Sequence, residues 1–150
     1  MVTIRKATLT DIPIVLSIIQ HGREKMIASG NSHQWGRLHP SDEQIKMDIE
    51  KENSYLVLSD EGSPIATFAF IEGVDSTYLE IEGKGWLNNE HYGTIHRIAS
   101  APNVHGILSI VIEYCFQKVK NIRIDTHEEN FMMRKGLQKL GFTYCGVIHL

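Results

Sequence analysis

Apolar and polar residues alternate in some parts of this chain and follow a helical period in others. The run 2–7 alternates, which predicts a first strand. An apolar stripe from Ile12 to Ile19 predicts a helix that ends at Gly30-Asn31. Ser41 and Gln44 have the spacing of a capping box, which predicts the start of a second helix.

The rest of the chain continues as strands and helices, interrupted by a segment, 72–91, that has no clear period. The predicted elements are strands at 55–58, 65–71 and 92–100, a helix at 103–119, a strand at 121–126, a helix at 130–140 and a last strand at 142–148. The order β-α-α-β-β-β-α-β-α-β predicts an α/β protein of the mixed-sheet (α+β) kind, with helices on both faces of one sheet. Since no repeat or linker interrupts this order, residues 1–150 are expected to form a single domain.

Composition narrows the possible functions. The chain has 150 residues and a formal net charge of −3. It has no basic surface signature, which argues against nucleic-acid binding, and no apolar run of the roughly 20 residues that span a bilayer. The first residues lack the apolar stretch of a signal peptide, so we expect a cytoplasmic protein. Its two cysteines, Cys115 and Cys145, are expected to be reduced thiols that contribute to packing.

One strand-to-helix junction carries the strongest functional signal. The run Tyr92–Ser100 ends at Ala101-Pro102, and a helix is expected to begin around Asn103, with Gly106 in its first turn. The first amide groups of a helix have no partner within it, and the helix dipole is positive there. Gly106 has no Cβ, so an anion can approach the backbone closely. The junction predicts a site for a phosphate-bearing ligand.

Several motifs occur in an order that resembles the GNAT superfamily of acetyl-CoA-dependent N-acetyltransferases. They are Ile4–Asp11, the central strand with its glycine turn, Asp125–Asn130 followed by Leu140-Gly-Phe142, and Gln34-Trp35 between the first two helices. The last of these is similar to small bacterial members. The resemblance covers the whole chain and implies the GNAT acyltransferase fold, with acetyl-CoA as co-substrate.

The resemblance also implies which residues bind the cofactor. The pantetheine arm would contact backbone groups of Ile98, Ala99 and Ser100. Amide groups of the turn and the following helix would hold the pyrophosphate, and these belong to Asn103, Val104, His105, Gly106, Ile107, Leu108 and Ser109. Asn130 matches a position that often contacts the cofactor in the family, although an asparagine at a helix start could equally be its N-cap.

Two departures from the family pattern support an alternative function. The turn has Asn103 where the family usually has Gln or Arg, and Leu108 where it usually has a small residue. Leu137 occupies the position of a tyrosine that serves as general acid in many members. The alternative is therefore a sensor module that binds CoA or acyl-CoA without turnover. A third hypothesis is a domain that binds a protein partner and no ligand, and a homodimer is possible because dimers are frequent among GNAT proteins.

Acetyl transfer to an amine needs a base, because a lysine-like amine with a pKa near 10.4 is almost fully protonated at neutral pH. His96 is the best candidate, since alternation places Thr94, His96 and Ile98 on one face of the central strand. The alternative is a histidine held by hydrogen bonds in the sheet. Tyr144 and His127 are candidates for the general acid that protonates the leaving thiolate.

The loop after the first helix and the segment before the central strand are expected to form the acceptor site. The residues proposed for it are Trp35, Arg37, His39, Trp86 and Tyr92. The alternative is that both tryptophans simply cover the edge of the core. No histidine pair or cysteine motif has the spacing of a zinc site, so no metal is expected. The predicted activity is transfer of an acetyl group from acetyl-CoA to a primary amine of a small molecule or peptide.

Overall fold

A five-stranded mixed sheet organises the protein. The structure, a computed structural model, describes residues 2–35 and 39–150. The strands are β1 (Thr3–Lys6), β2 (Ser54–Leu58), β3 (Pro64–Glu72), β4 (Gly93–Ser100) and β5 (Ile122–Arg123). They lie in the order β1-β2-β3-β4-β5; β1 to β4 pair antiparallel, and β5 pairs with β4 in parallel.

In the described part of the chain, four α-helices pack on the sheet. They are α1 (Ile12–Ala28), α2 (Asp42–Glu50), α3 (Ile107–Phe116) and α4 (Phe131–Lys139). Pro13 lies in the first turn of α1, where a missing amide costs least. The predicted cap of α2 is confirmed, since the amide of Gln44 donates to the Ser41 hydroxyl over 3.1 Å. Within the described ranges, no helix combines the length and the apolar character needed to cross a membrane.

The sheet is buried on both faces. Phe68 and Val111 belong to the apolar cluster that α3 and α4 cover, and Ile19 and Leu56 belong to the cluster that α1 and α2 cover. The prediction of helices on both faces is therefore confirmed. Because β4 lies between β3 and β5 and between the two helix layers, its side chains reach both sides of the molecule.

A bulge in β4 breaks the alternation on which one prediction depended. Thr67 pairs with Ala99 and Ala69 pairs with His96, so two residues of β4 lie opposite the single residue Phe68. The first of the two, Arg97, has a φ of +53°. The expectation that Ile98 shares a face with His96 is wrong: the extra residue turns Ile98 towards the α3 and α4 cluster.

The predicted start of the third helix is also wrong. The helix begins at Ile107, and Gly106 is its N-cap with a φ of +78°. Asn103 has a φ of +61°. Two left-handed residues cannot continue a right-handed helix, so residues 101–106 form a loop that leads from β4 to α3.

The predicted last strand, 142–148, is not formed. Val147 forms an isolated antiparallel bridge with Glu82, and neither residue belongs to a strand of the sheet. Gly146 has a φ of +148°, and a Cβ at that position would lie 2.0 Å from the carbonyl oxygen of Glu82. Because the two backbones approach each other closely at Gly146, they form this one bridge and no regular ladder of strand hydrogen bonds. Similarly, β5 covers only two residues of the predicted strand 121–126.

Gly22 sets how closely α1 approaches the central strand. A Cβ at Gly22 would lie 2.8 Å from the Cβ of Ala99 on β4 and 3.4 Å from the Trp35 ring. We therefore expect Gly22→Leu to lower the free energy of unfolding by about 1–3 kcal/mol, despite the better helix propensity of leucine. Urea denaturation measures this, with Ser17→Leu on the exposed side of the same helix as a control expected to change it by less than about 0.5 kcal/mol. Equal effects in both variants would contradict the close packing of α1 on β4.

Candidate active site

A cleft opens between β4 and β5. The two strands pair only at Gly93 with Ile122 and at Thr94 with Arg123. Beyond Thr94, β4 continues for six residues on the β3 side alone, up to Ser100. Among the described residues, the edge of β4 that faces away from β3 therefore has no strand partner from residue 95 to residue 100. This edge leads directly to the loop before α3.

The loop before α3 presents unpaired amides. Among the hydrogen bonds between described residues, none has the main-chain amide of residues 103–106 as its donor. The first amides of α3 lack partners within the helix. Apart from Gly106 and its two chain neighbours, no described residue has an atom within 4 Å of the place that a Cβ on Gly106 would take, so the approach to the loop is open. The geometry is that of an anion site.

Leu108 does not obstruct this site. Its Cδ2 lies 2.8 Å from the position of a Cβ on Gly136 of α4, and the side chain packs against the α3 and α4 core cluster. The absence of a side chain at Gly136 makes room for Leu108. The sequence departure at Leu108 is thus accommodated on the side of α4.

His96 lies on β4 between two carboxylates. Its Nε2 is 2.9 Å from Oδ2 of Asp75, and its Nδ1 is 3.8 Å from Oδ1 of Asp125. Burial alone would raise the pKa of Asp75, but hydrogen bonds from Thr77 and His96 outweigh it and hold the pKa below its usual value. An ionised Asp75 can only accept, which assigns a proton to Nε2. In the neutral imidazole Nδ1 is then the acceptor.

Tyr78 completes this group and was not identified from the sequence. Its hydroxyl donates to Oδ1 of Asp125 over 2.5 Å, and its ring lies 6.2 Å from the His96 ring. Burial, then the charge of Asp125, raises the pKa of Tyr78 far above its ordinary value, so the hydroxyl stays protonated. One sequence signal existed: Asp75-Ser-Thr77 is an Asp-initiated turn, and the Asp75 side chain accepts from the Thr77 amide.

Comparison with solved structures identifies the architecture. The chain is 29% identical to a GNAT-family acetyltransferase from Streptococcus agalactiae 2603, with a TM-score of 0.89 over 99% of this chain and 89% of that chain. The protein has the GNAT acetyltransferase fold. No family model and no curated protein sequence matches the chain.

Two further GNAT-fold neighbours carry information on ligands. A predicted acetyltransferase from Clostridium acetobutylicum, solved with acetyl-CoA, has 17% identity and a TM-score of 0.60 over 96% of this chain and 91% of that chain. An aminoglycoside 6'-N-acetyltransferase from Acinetobacter haemolyticus has 14% identity and a TM-score of 0.66 over 99% and 97%. At these identities the likeness is one of fold.

In this GNAT fold, three of the residues predicted for the acceptor site are aromatic, and all three make internal contacts. Trp35 is buried in the cluster under α1 and α2. Tyr92 is buried, and its hydroxyl accepts from the Asp75 amide over 2.8 Å. Trp86 donates to the Tyr78 carbonyl over 2.8 Å. The Arg123 guanidinium stacks 3.9 Å from the Tyr92 ring centre and 4.5 Å from the Trp86 ring centre.

The two remaining acceptor-site predictions lie in the loop after α1. His39 faces the His96 group: burial, then the positive charges of Arg97 and Arg23, lower the pKa of His39, and Asp125 opposes them. Arg37 lies outside the described residues. His39 is exposed, and its electrostatic interactions with Arg97 and Asp125 place it in the neighbourhood of His96.

Asn130 is the N-cap of α4, one of the two roles expected for it, and its contact with the cofactor stays a prediction. Its Oδ1 accepts from the Met133 amide over 3.2 Å as the N-cap of α4. Its Nδ2 donates to Oε1 of Gln34 over 3.0 Å. In the same loop, Nδ1 of His33 lies 2.8 Å from Oε1 of Glu129. These contacts join the loop after α1 to the loop between β5 and α4.

The two acid candidates differ in their surroundings. His127 accepts at Nδ1 from the Glu129 amide over 3.1 Å and is half-buried. Tyr144 is 76% exposed in the irregular C-terminal segment. Neither contacts His96 among the contacts of the described residues, so their part in protonation stays a prediction.

Metal and thiol chemistry find no support in the described part of the chain. Residues 2–35 and 39–150 contain no group of three or more His, Cys, Asp or Glu side chains that could hold a metal ion. Cys115 is a free, fully buried thiol, and burial raises its pKa to about 12. A thiol with that pKa is inert as a nucleophile at neutral pH.

Proposed function

We propose that this protein transfers an acetyl group from acetyl-CoA to a primary amine of a small molecule or peptide. One observation carries the proposal: β4 bears His96 between two carboxylates and then runs, without a partner on the β5 side, to the open amides before α3. A nucleotide thioester that followed this edge would bring its acyl end beside His96.

The cofactor would lie along the open edge of β4. Its diphosphate fits the amides of residues 103–109, with Gly106 allowing close approach. Its pantetheine arm would bond to main-chain groups of Ile98, Ala99 and Ser100. The neighbour solved with acetyl-CoA supports this class of ligand.

The acceptor amine would enter between His96 and Asp125. Nδ1 of His96 and Oδ1 of Asp125 are both acceptors, and they face each other across 3.8 Å. A protonated amine can donate to both, which favours its binding there. Tyr78 donates a hydrogen bond to Asp125, which fixes the orientation of the carboxylate. The carboxylate can still accept a hydrogen bond from the amine. The aminoglycoside N-acetyltransferase among the structural neighbours supports an amine as acceptor.

Transfer then follows from these positions. His96 accepts a proton from the amine at Nδ1, while Asp75 holds the ring and stabilises the resulting imidazolium. The neutral nitrogen attacks the thioester carbonyl, and a main-chain amide at the β4 bulge, near Ile98, stabilises the oxyanion. The carbon–sulfur bond breaks as the nitrogen, positively charged after the attack, releases its second proton to solvent and becomes the amide nitrogen of the product. The CoA thiolate leaves and takes a proton, for which His127 and Tyr144 are the candidates.

One observation favours a second function. Leu137, at the position of the family's acid tyrosine, is buried in the core cluster and offers no proton there. A protein that binds acetyl-CoA and does not turn it over would be a sensor module. The two functions differ in a single measurable property, the release of thiol.

Thiol release with a panel of amines tests the proposal. We expect the protein to release CoA from acetyl-CoA at a rate that depends on the concentration of at least one primary amine. Mass spectrometry of the product should show a gain of one acetyl group on nitrogen. Tight binding of acetyl-CoA without amine-dependent release from any member of the panel would instead establish the sensor.

A further inference from the structure

The bulge in β4 depends on a backbone conformation that arginine does not favour. Arg97 has a φ of +53°, in the left-handed region that glycine adopts freely and other residues adopt rarely. In bulges of this type, glycine usually takes the first position. An interaction of the Arg97 side chain must therefore offset the unfavourable backbone conformation.

That interaction is an ion pair with α2. Nε of Arg97 lies 2.7 Å from Oδ2 of Asp48, and Nη2 lies 2.9 Å from Oδ1. The side chains are only 13% and 6% exposed. Gln44, one turn earlier in α2, donates a third hydrogen bond to Asp48 over 3.0 Å. Two parallel bonds fix the plane of the guanidinium, so α2 determines the direction in which the Arg97 side chain leaves β4.

The place of the pair along β4 connects it to the site. Arg97 lies between His96, the proposed base, and Ile98, whose amide is the proposed oxyanion donor. A residue with positive φ rotates the peptide group that follows it relative to a regular strand. The conformation of Arg97 thus determines where the amide of Ile98 points.

We propose that the Arg97–Asp48 pair is a positioning device, which holds the β4 bulge so that the amide of Ile98 meets the thioester carbonyl. The inference rests on the proposed function. Neither side chain touches the substrate; both act through the backbone of β4. This assigns a catalytic consequence to Asp48, a buried residue of α2.

The first measurement uses Asp48→Asn, which keeps the shape of the side chain and removes its charge. We expect kcat to fall about tenfold to hundredfold, as when an oxyanion donor is misplaced, with KM for acetyl-CoA and for the amine changed by less than about threefold. The carbonyl stretch of bound acetyl-CoA, carrying a ¹³C label in the acetyl group, should shift back towards the frequency of free acetyl-CoA, since the hydrogen bond weakens.

The second measurement separates positioning from mere stability. Glycine adopts the φ of Arg97 without a tether, whereas alanine does not. We expect Arg97→Gly to keep most of kcat and the shifted carbonyl frequency, and Arg97→Ala to lose both. Adding Arg97→Gly to Asp48→Asn should restore activity, because it also removes the guanidinium that has lost its partner. An ion pair that only stabilised the fold would lower the free energy of unfolding in Arg97→Ala and Asp48→Asn, but it would leave kcat and the carbonyl frequency of the folded variants unchanged.

Asp11→Asn is the matched control. Arg5 and Asp11 form a second bidentate pair, with distances of 2.7 and 3.0 Å, at the start of the chain. Its loss should leave kcat and the carbonyl frequency unchanged. Wild-type kcat and carbonyl frequency in folded Asp48→Asn and Arg97→Ala would overturn the inference. Wild-type protein that binds acetyl-CoA without transferring the acetyl group would overturn the proposed function. In that case the carbonyl frequency of bound acetyl-CoA in the variants would still show whether the Arg97–Asp48 pair orients the β4 bulge.

Discussion

Replacing His96 by glutamine should lower kcat by about a hundredfold or more, within the range that a positioned general base supplies. Glutamine can still donate to Asp75, so the hydrogen bond that orients the side chain is retained. It cannot accept a proton from the amine. KM for acetyl-CoA should change little, because the proposed cofactor contacts are made by main-chain groups of residues 98–109. The dependence of kcat on pH supplies a second readout: the profile of the variant should differ from that of the wild-type protein, because the group that accepts the proton of the amine has been removed.

His91 offers the matched control for this variant. It lies just before β4 and is exposed, with its Nε2 3.5 Å from Oε1 of Glu72. His91→Gln should leave kcat and its pH profile unchanged. If His96→Gln instead kept the wild-type profile, His96 would be a structural histidine of the sheet, and the amine would have to reach the site already neutral.

Much of the fold follows from local patterns. The β2 strand shows how: Tyr55 and Val57 face the α3 and α4 cluster, and Leu56 faces the α1 and α2 cluster, as alternation predicts. The cap at Ser41 is equally local, since it needs only the next three residues. Such features depend on residues that are close in sequence. Their arrangement in three dimensions was expected from the resemblance to GNAT proteins.

The features that sequence did not predict depend on contacts between distant segments. The bulge at Arg97 is stabilised by Asp48, forty-nine residues earlier. The last strand, 142–148, has suitable residues, but the close approach of Gly146 to Glu82 interrupts it. The periodicity of the sequence does not reveal either contact, because each depends on a residue in a distant part of the chain.

The candidate site also has one part that local sequence predicts and another part that depends on tertiary packing. His96 was found because it lies on an identifiable strand before an identifiable turn. Asp75, Tyr78 and Asp125 were missed, because two lie in a segment without periodicity and one follows a short strand. Their carboxylate and hydroxyl groups meet His96 only through tertiary packing. Trp35 shows the converse, since an aromatic residue in a polar loop proves to be part of the core.

Gly106→Val should raise the Kd for acetyl-CoA at least tenfold. Gly106 has a φ of +78°, and a β-branched residue at that angle is a genuine outlier. The loop would relax towards negative φ, which would turn the amides before α3 away from their common direction. Isothermal calorimetry with acetyl-CoA, and with CoA itself, measures the change; both ligands should weaken equally, because both carry the diphosphate.

Gly106→Asn distinguishes the two ways in which valine could act. Asparagine tolerates left-handed backbone, and its Cβ would meet no atom of the described residues within 4 Å beyond its own chain neighbours. If the backbone direction of the amides holds the diphosphate, asparagine should retain most of the affinity that valine loses. If instead acetyl-CoA binding requires that residue 106 has no side chain, the two variants should lose affinity to a similar extent. Wild-type Kd in a folded Gly106→Val protein would place the diphosphate elsewhere, and the open edge of β4 would then need a different ligand.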